Sequence, residues 1–290
     1  MNQLKLLTHI ISTCDDALAE TFQKRMSIAA MMAETRHDLN EEIFDEAAET
    51  AYVHSVAAQF PPELLLKANS LWSTITRMHR GQQYRWTLKH NEDHKLPHEL
   101  AMTSAAAEGI VVCPADQMED VSSTMGLELA PCTSIDEALD MVERGEAAYA
   151  AFSISRTHDP SDVYLRFYKR DLYLNRSFRP YVTDSDRRYF VLSKKLTRTA
   201  DCNRMSLAFA VKRSYGSLTQ TLSTLAEAKL NIENMRLRRS IPGDGHPDDL
   251  IFIDLSGNFD SIDTRAALYQ MELEMYYFRV LGFWRHEENL

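Results

Sequence analysis

Two arginines and a glutamine carry the first chemical signal in this sequence. Arg25 and Arg36 are 11 residues apart within an apolar pattern of helical period, and Gln83 closes a later helical stretch. Eleven residues are about three helical turns, so both guanidinium groups are expected on nearly the same face. Two fixed cations and an amide donor suit a small, doubly charged anion. The alternative is that both arginines are solvated, with Asp45 and Glu49 as surface partners.

Composition limits the possible function classes. The chain has 290 residues, of which 44% are hydrophobic and 26% charged, and this is typical of a soluble protein with two or three domains. A formal net charge of −10 argues against a general nucleic-acid binder. An anionic ligand would therefore need a local cationic pocket in an acidic protein.

The expected compartment is the cytoplasm, with no membrane partner. No apolar run reaches the length that spans a bilayer, and the N-terminal residues lack the regions of a secretory signal. The cysteines are scattered and show no paired metal-ligand spacing, so we expect reduced thiols. They are Cys14, Cys113, Cys132 and Cys202.

Residues 1–90 predict an all-helical domain. Apolar residues recur at three- and four-residue steps from Leu4 to Met32, which indicates one helix of about 35 residues. Asn40 is predicted to cap a second helix, and Pro61 and Pro62 to start a third. A helix that long cannot bury itself in a three-helix monomer, so we expect a homodimer.

The segment 90–98 is polar and ends near a proline, which predicts a linker. His90, His94 and His98 are spaced four residues apart, so a metal site is the alternative. The segment lacks helical apolar periodicity, and a loop would not hold that geometry. We therefore expect no metal site here.

The rest of the chain predicts two mixed domains. Short apolar runs alternate with helical patches over 99–197, which indicates a small α/β domain. Residues 203–287 show the order βαββαβ of a ferredoxin-like fold, with a Pro/Gly turn at 241–247 between its central strands. The expected fold class is therefore multidomain, α plus α/β.

Several motifs resemble the bifunctional chorismate mutase–prephenate dehydratase family. Residues 14–18 and 23–29 are similar to the first helix of its mutase domain, and the domain order also matches. The resemblance implies that Arg25 grips a substrate carboxylate. It also places Arg36 where the family has a lysine that donates to the ether oxygen of chorismate, a contact that Gln83 shares.

Other positions of the mutase domain match or depart from the family pattern. Asp45 and Glu49 fall on its acidic positions, and His79 stands where a serine is usual. Thr8 replaces an arginine that crosses the dimer to the second carboxylate, and Ala48 replaces the arginine before the glutamate. Lys5, on the same face as Thr8, or His9 could supply the missing cation.

The resemblance implies a pericyclic rearrangement of chorismate to prephenate without any cofactor. The protein must hold a dianion in a compact chair and stabilise charge on the breaking ether oxygen. This gives Arg36, Gln83 and Glu49 catalytic roles, and substrate-binding roles to Arg25, Asp45, His79 and Lys5. Losing one carboxylate clamp would cost roughly 2–4 kcal/mol of binding.

The middle domain departs further from the family. Where the family has Pro-Ile-Glu-Asn-Ser, residues 153–157 read Ser-Ile-Ser-Arg-Thr. Where it has Asn-x-Thr-Arg-Phe with a catalytic threonine, residues 185–189 read Ser-Asp-Arg-Arg-Tyr. The region is also about half the length of two lobes around a cleft. We therefore expect a truncated domain without dehydratase activity.

The C-terminal domain resembles an ACT regulatory domain. Residues 215–218 resemble the turn where a free amino acid binds, and an effector would contact Gly216, Ser217, Leu218 and Asn231. The segment with Arg236, Arg238 and Arg239 replaces a Glu-Ser-Arg-Pro ligand motif. These arginines are interpreted as a solvated strand face, with an anion site as the alternative.

Two function classes follow from these residues. The first is an enzyme, a chorismate mutase or a mutase-like isomerase acting on a chorismate relative, in aromatic amino-acid or related metabolism. The second is a non-catalytic relative that binds or regulates. The mutase pocket retains more of its pattern than the dehydratase site, which favours the enzyme.

Overall fold

The computed structural model is described over most of the chain. The described residues are 3–91, 93–103, 108–154, 160–180, 187–211, 216–239 and 249–286, with the backbone alone for 160–162. The predicted turn at 241–247 lies outside them. So do the motif residues 155–157, Ser185, Asp186 and Tyr215.

Nine helices and eleven strands are assigned within the described residues. The helices are α1 Gln3–Leu39, α2 Glu46–Ala57, α3 Leu65–His90, α4 Pro97–Ala101, α5 Met118–Met125, α6 Ile135–Arg144, α7 Pro160–Tyr168, α8 Ser217–Glu227 and α9 Ile262–Glu274. The strands are β1 Met102–Thr103, β2 Val111–Pro114, β3 Leu129–Cys132, β4 Tyr149–Ile154, β5 Tyr173–Phe178, β6 Arg188–Ser193, β7 Leu196–Thr197, β8 Arg204–Val211, β9 Asn231–Arg238, β10 Asp249–Ser256 and β11 Phe278–Trp284.

The chain divides into two compact units. The first, called the helical unit here, comprises Met1–His94, Gly216–Ala228 and Phe259–Glu274. The second, the sheet unit, comprises Lys95–Tyr215, Lys229–Asn258 and Met275–Leu290. The helical unit therefore contains α1 to α3 and also α8 and α9 from the βαββαβ segment.

The predicted long first helix is confirmed. α1 runs for 37 residues without a glycine or proline and packs on α3 through the small, buried residues Ala29 and Ala33. Small side chains at a helix contact let the two backbones approach closely. The first 22 residues of α1, from 3 to 24, are all exposed.

Asn40 does not cap the second helix, and that prediction is wrong. Its φ of +54° is left-handed, a conformation that asparagine tolerates and that ends α1. Asp45 is the cap instead, because it has an extended backbone and its carboxylate accepts the N–H of Ala48 at 3.0 Å. The third helix starts after a turn of 3-10 helix at Pro62–Leu64, as the two prolines predicted.

Ion pairs tie α3 to α8 and α9 inside the helical unit. Arg77 binds Glu227 at the end of α8 with N–O distances of 2.6 and 2.9 Å. The other two pairs reach α9, where Arg80 binds Glu274 and Arg85 binds Asp263. Helix α3 therefore carries pocket residues on one side and the helices of the C-terminal segment on another.

The sheet unit contains the predicted α/β layer. Its five-stranded sheet has the order β3-β2-β4-β6-β5, with β2 parallel to β3 and β4, and β6 antiparallel to β4 and β5. Helix α6 begins after its cap Ser134, whose hydroxyl accepts the N–H of Glu137 at 3.2 Å. Its apolar face buries Ala138, Leu139 and Val142.

The βαββαβ order is confirmed, and its strands form a separate antiparallel sheet with the order β11-β8-β10-β9. This is the strand order of a split βαβ arrangement. Phe283 and Trp284 of β11 are buried in the core. None of the described helices is both long and apolar enough to cross a lipid bilayer.

Candidate functional site

A cavity of about 590 Å³ in the helical unit gathers most of the predicted mutase residues. It is bounded by the second half of α1, the start of α2 and the middle of α3. Its lining contains Thr21, Lys24, Arg25, Ile28, Met32, Arg36, Ile43, Asp45, Ala48, Glu49, Tyr52, Thr76, His79, Arg80 and Gln83. Of the seven predicted mutase residues, six line this cavity and only Lys5 does not.

Arg25 presents free donors to the cavity. Its Nη1 donates to the hydroxyl of Tyr52 at 3.2 Å, and the guanidinium lies 5.8 Å from that ring centre. Its Nε is buried and has no hydrogen-bond partner among the described residues. No described carboxylate neutralises the Arg25 guanidinium, so its positive charge remains available at the cavity wall.

Arg36 and Gln83 form a donor pair. Arg36 Nη1 donates to the side-chain oxygen of Gln83 at 2.8 Å and to the backbone oxygen of Ile43 at 2.9 Å. Gln83 is almost fully buried. Because its oxygen accepts from Arg36, its amide NH₂ stays available as a second donor in the cavity.

Arg80 is a pocket residue that the sequence analysis missed. Its Nη1 binds Glu49, while Nε and Nη2 bind the two carboxylate oxygens of Glu274 at 2.6 and 2.8 Å. The guanidinium also lies over the ring of Phe44, 4.6 Å from its centre. Arg80 is three residues before Gln83, and this helical spacing is the signal that places both on one face of α3.

His79 is uncharged near neutral pH. Burial and the nearby cations Arg25 and Arg36 lower the pKa of its imidazole, against smaller opposing effects from the Arg25 backbone and Glu49. Its Nε2 lies 3.3 Å from the sulfur of Met32. The imidazole therefore adds polarity without positive charge to the cavity wall.

The cavity is cationic although the chain is acidic. Its net charge is +2 with His79 neutral, because four cations outnumber two carboxylates: Lys24, Arg25, Arg36 and Arg80 against Asp45 and Glu49. The whole chain has a formal charge of −10. This local excess is what the sequence analysis required of an anion site.

Lys5 does not reach the cavity of its own chain. It is 20 residues before Arg25 in the same helix, which corresponds to about 30 Å along the axis. Thr8 also lies on the exposed half of α1 and donates to the backbone oxygen of Leu4 at 2.9 Å. A cation from this end of α1 is therefore available only to a second molecule.

The predicted effector residues are at the ends of two elements. Gly216 is the N-terminal cap of α8 with a left-handed φ of +82°, which favours glycine there. Ser217 and Leu218 are the first residues of that helix, and Asn231 is the exposed first residue of β9. Gly216 to Leu218 belong to the helical unit and Asn231 to the sheet unit, so they are described separately.

Two retained dehydratase-motif residues have structural partners. The Tyr189 hydroxyl donates to Asp120 at 2.6 Å, and burial is the main cause of its raised pKa. Arg188 donates through Nε to Ser177 at 2.8 Å and lies over Trp284. These contacts lie within the sheet unit.

Arg236 is not on a solvated strand face, and that interpretation is wrong. It is half-buried 5.2 Å from the ring centre of Tyr164 and 3.9 Å from Asp254. Asp254 is buried, which raises its pKa, and it accepts hydrogen bonds from Tyr164 at 2.8 Å and Ser206 at 2.6 Å. The sequence of β9 alone could not show that Arg236 lies near a buried acid on β10.

The histidines of the predicted linker have separate packing partners. His90 ends α3 and stacks on Trp86 at 4.2 Å, whereas His94 packs against Tyr269 at 4.9 Å. His98 is part of α4, which the linker prediction did not include. Within the described ranges, no group of three or more His, Cys, Asp or Glu residues is arranged to hold a metal ion.

Comparison with known proteins supports the fold only. The sequence matches no protein-family profile and no curated protein. A solved structure described as GqqA, a novel type of quorum quenching acylase, has a similar fold. It is 16% identical with a TM-score of 0.50, and the match covers 61% of this chain and 95% of that chain.

A second similar structure is the prephenate dehydratase of Arthrobacter aurescens in complex with L-Phe. It is 13% identical with a TM-score of 0.50, and the match covers 61% of this chain and 90% of that chain. The chain thus shares the fold of a prephenate dehydratase over 61% of its length. Both of these structural neighbours are enzymes by their descriptions.

Proposed function

We propose that this protein is a chorismate-mutase-type isomerase that rearranges chorismate to prephenate in the cavity of its helical unit. The observation that carries the proposal is the pair Arg25 and Arg36 in one cavity, with Gln83 bound to Arg36. Neither arginine has a carboxylate within 4.0 Å among the described residues, so both charges remain for a ligand. A dianion would satisfy them.

The proposed roles follow from the directions of the free donors. Arg25 anchors one substrate carboxylate through its guanidinium group, which lines the cavity and has no carboxylate partner among the described residues. Arg36 and the NH₂ of Gln83 donate to the ether oxygen, on which negative charge grows as the carbon–oxygen bond breaks. One carbon–carbon bond forms as that bond breaks, so the step needs no nucleophile and no proton transfer.

The remaining cavity residues would hold the rest of the substrate. Glu49 keeps one carboxylate oxygen free of protein donors among the described residues, so it can accept a substrate hydroxyl. His79 and Asp45 contribute neutral and acidic polar surface beside the anion clamps. Holding the reactive chair in place supplies the entropic part of the rate enhancement.

The proposal includes a homodimer formed through α1. Its first 22 helical residues are exposed and carry Leu4, Leu7, Ile11 and Leu18, which a second copy would cover. Lys5 would then serve the cavity of that copy. Sedimentation equilibrium should give twice the chain mass, and Ile11→Asp should shift the species towards monomer, with the exposed Asp16→Asn as control.

An amino-acid effector at the start of α8, contacting Gly216, Ser217 and Leu218, belongs to the proposal as well. A similar structure contains L-Phe, which makes phenylalanine the first ligand to titrate. Isothermal titration calorimetry with phenylalanine at up to millimolar concentrations tests this. If no heat of binding is measured, phenylalanine is not the effector, and the mutase assignment is unaffected.

A non-catalytic binding protein is the second candidate. Ala48 presents only a methyl group to the cavity where the resembling family has an arginine, and Glu49 is already paired with Arg80. A binding protein would need the anion grip of Arg25 and Arg36 but no extra stabilisation of the transition state.

One assay separates the two candidates. Purified protein is mixed with chorismate, and loss of its absorbance is followed for the wild type, Arg25→Ala and Gln83→Ala. Gln82→Ala is the matched control, because Gln82 is exposed and does not line the cavity. We expect turnover above the uncatalysed rate in the wild type and the control and a large loss in both pocket variants.

Each contrary outcome has a definite meaning. A wild type no faster than the uncatalysed reaction contradicts the mutase, and chorismate binding without turnover would then favour the second candidate. Equal rates for all four proteins would show that the chemistry is elsewhere.

A further inference from the structure

Glu49 of the cavity is held through Arg80 by a residue from the far end of the chain. The partner is Glu274, the last residue of α9, which lies between β10 and β11 in the sequence. Arg80 and Glu274 are 194 residues apart in sequence, and the resemblance to mutase domains does not include α9. We propose that Glu274 is a positioning residue that keeps Glu49 available to the substrate, and this inference rests on the proposed function.

The geometry of Arg80 is asymmetric. Its Nε and Nη2 edge faces both oxygens of Glu274, at 2.6 and 2.8 Å, in a bidentate arrangement. Only Nη1 is left for Glu49, which it binds through Oε2. Because the guanidinium is rigid and planar, fixing one edge on Glu274 also fixes the direction of the other edge.

This asymmetry leaves part of Glu49 unused. Its Oε1 accepts from no donor among the described residues, whereas a bidentate pairing with Arg80 would occupy both oxygens. Two carboxylates therefore compete for one guanidinium group. Glu274 forms two hydrogen bonds with Arg80, and Glu49 forms one. Without the charge of Glu274, Arg80 would turn its edge to Glu49 and draw that carboxylate out of the cavity.

Burial makes this competition strong. The side chains of Arg80 and Glu274 are 9% and 13% exposed, and that of Glu49 is 24% exposed. Charges that are largely removed from water interact more strongly and are screened less by salt. Gln270, one turn earlier on α9, donates to Glu274 at 3.2 Å and so holds its carboxylate in place.

The same helix provides a matched control. Arg77, three residues before Arg80 on α3, forms a bidentate pair with Glu227 of α8 at 2.6 and 2.9 Å. This pair also joins α3 to a helix of the C-terminal segment, but neither residue lines the 590 Å³ cavity. Glu274→Gln and Glu227→Gln each remove one carboxylate charge from a bidentate pair on α3, although Glu227 is 41% exposed and Glu274 13%. Only Glu274 reaches Glu49 through its arginine.

Steady-state kinetics on chorismate with the full-length variants test the role. In Glu274→Gln we expect kcat to fall roughly 10- to 100-fold, as for a misplaced pocket group, while KM stays within about threefold because Arg25 and Arg36 are untouched. In Glu227→Gln we expect both constants within about twofold of the wild type.

Other outcomes would overturn the role. Equal losses in the two variants would mean that Glu274 only docks α9 on α3. An unchanged kcat with a lower KM would mean that Glu274 merely masks the charge of Arg80.

Crystal structures of the two variants give a readout that does not depend on turnover. In Glu274→Gln we expect Arg80 to bind Glu49 through two nitrogens, with the Glu49 carboxylate withdrawn from the cavity. An unmoved Glu49 would contradict the positioning role even if chorismate is the substrate. Conversely, a wild type that does not turn over chorismate would contradict the proposed function alone, because the displacement of Glu49 can still be observed.

Discussion

The helical unit and the sheet unit each contain a cluster of arginines, but the two clusters are neutralised differently. In the sheet unit, Arg166 of α7 binds Asp136 of α6 at 2.6 Å, and Arg170, just after α7, binds Asp140 of α6 at 2.7 Å. In the helical unit, Arg25 and Arg36 have no such carboxylate among the described residues. The difference shows that an anion site is distinguished by arginines without an acidic partner, rather than by the number of arginines.

The cavity of the helical unit also contains a neutralised arginine. Arg80 is paired with two acids, and burial opposes its charged form, but Glu274 and Glu49 outweigh that effect and raise its pKa further. The cavity therefore has an open wall, with Arg25 and Arg36, and a closed wall, with Arg80 and Glu49. The open wall is suited to bind an anion, and the closed wall is suited to keep the Glu49 side chain in a fixed position.

The largest effect is expected from Arg80→Met in the closed wall, and it is an effect on stability. This change leaves Glu49 and Glu274 buried without their cation, which should lower the free energy of unfolding by about 3–5 kcal/mol. Urea unfolding followed by circular dichroism measures it. Arg144→Met, which breaks an exposed pair with Glu146, should leave the free energy of unfolding nearly unchanged. If both variants lower the free energy of unfolding equally, the buried ion pairs of Arg80 contribute no more to stability than the exposed pair of Arg144.

The next effect is on the open wall, in Arg36→Ala. It removes the proposed donor to the ether oxygen and the partner of Gln83, so kcat/KM for chorismate should fall about 10²- to 10³-fold. Arg170→Ala is the control from the sheet unit and should leave kcat/KM within about twofold, because its charge is already neutralised by surface acids. A similar loss in both variants would show that overall charge, not the cavity, governs activity.

A gain is expected from Ala48→Arg. Ala48 lines the cavity and is exposed, so an arginine there adds a cation to the α2 side, whose other lining residues are Asp45, Glu49 and Tyr52. A charged hydrogen bond to the dianion should lower KM roughly tenfold. Ala47→Arg, on the neighbouring exposed position outside the cavity, should leave KM unchanged. If both variants lower KM equally, the gain comes from long-range attraction alone.

The smallest effect concerns the pH dependence of stability through His79. Its pKa is lowered in the folded protein, so below the unfolded value of 6.5 the unfolded chain binds a proton that the folded chain does not. The free energy of unfolding therefore falls as pH falls through this window, with a maximal slope of about 1.4 kcal/mol per pH unit.

His79→Gln should reduce this slope between pH 6.5 and 5. Urea unfolding at several pH values measures it, with the exposed His54→Gln as control. An identical slope in His79→Gln and the wild type would mean that other groups cause the acid sensitivity.

Local signals predicted most of the elements. The apolar period predicted α1, and Pro61 and Pro62 predicted the start of α3, because each signal acts within a few residues. The second cap was assigned to Asn40 rather than Asp45 because both residue types cap helices. Only the left-handed backbone of Asn40 decides between them.

The candidate site was predictable only in part. Helical spacing and the family resemblance led to Arg25, Arg36 and Gln83, which the structure brings into one cavity. Arg80 was missed because its role depends on Glu274, and no local pattern relates residues 194 positions apart. For the same reason Arg236 was assigned to solvent, since its partner Asp254 is on another strand.

The long separation in sequence between Arg80 and Glu274 has a consequence for the order of folding. During synthesis from the N-terminus, α1, α2 and α3 leave the ribosome long before α9 exists. At 5–20 residues per second, the 194 residues between the two partners take roughly 10–40 s to make. The closed wall therefore cannot reach its final arrangement until α9 has been synthesised, and until then Arg80 is free to pair with Glu49 alone.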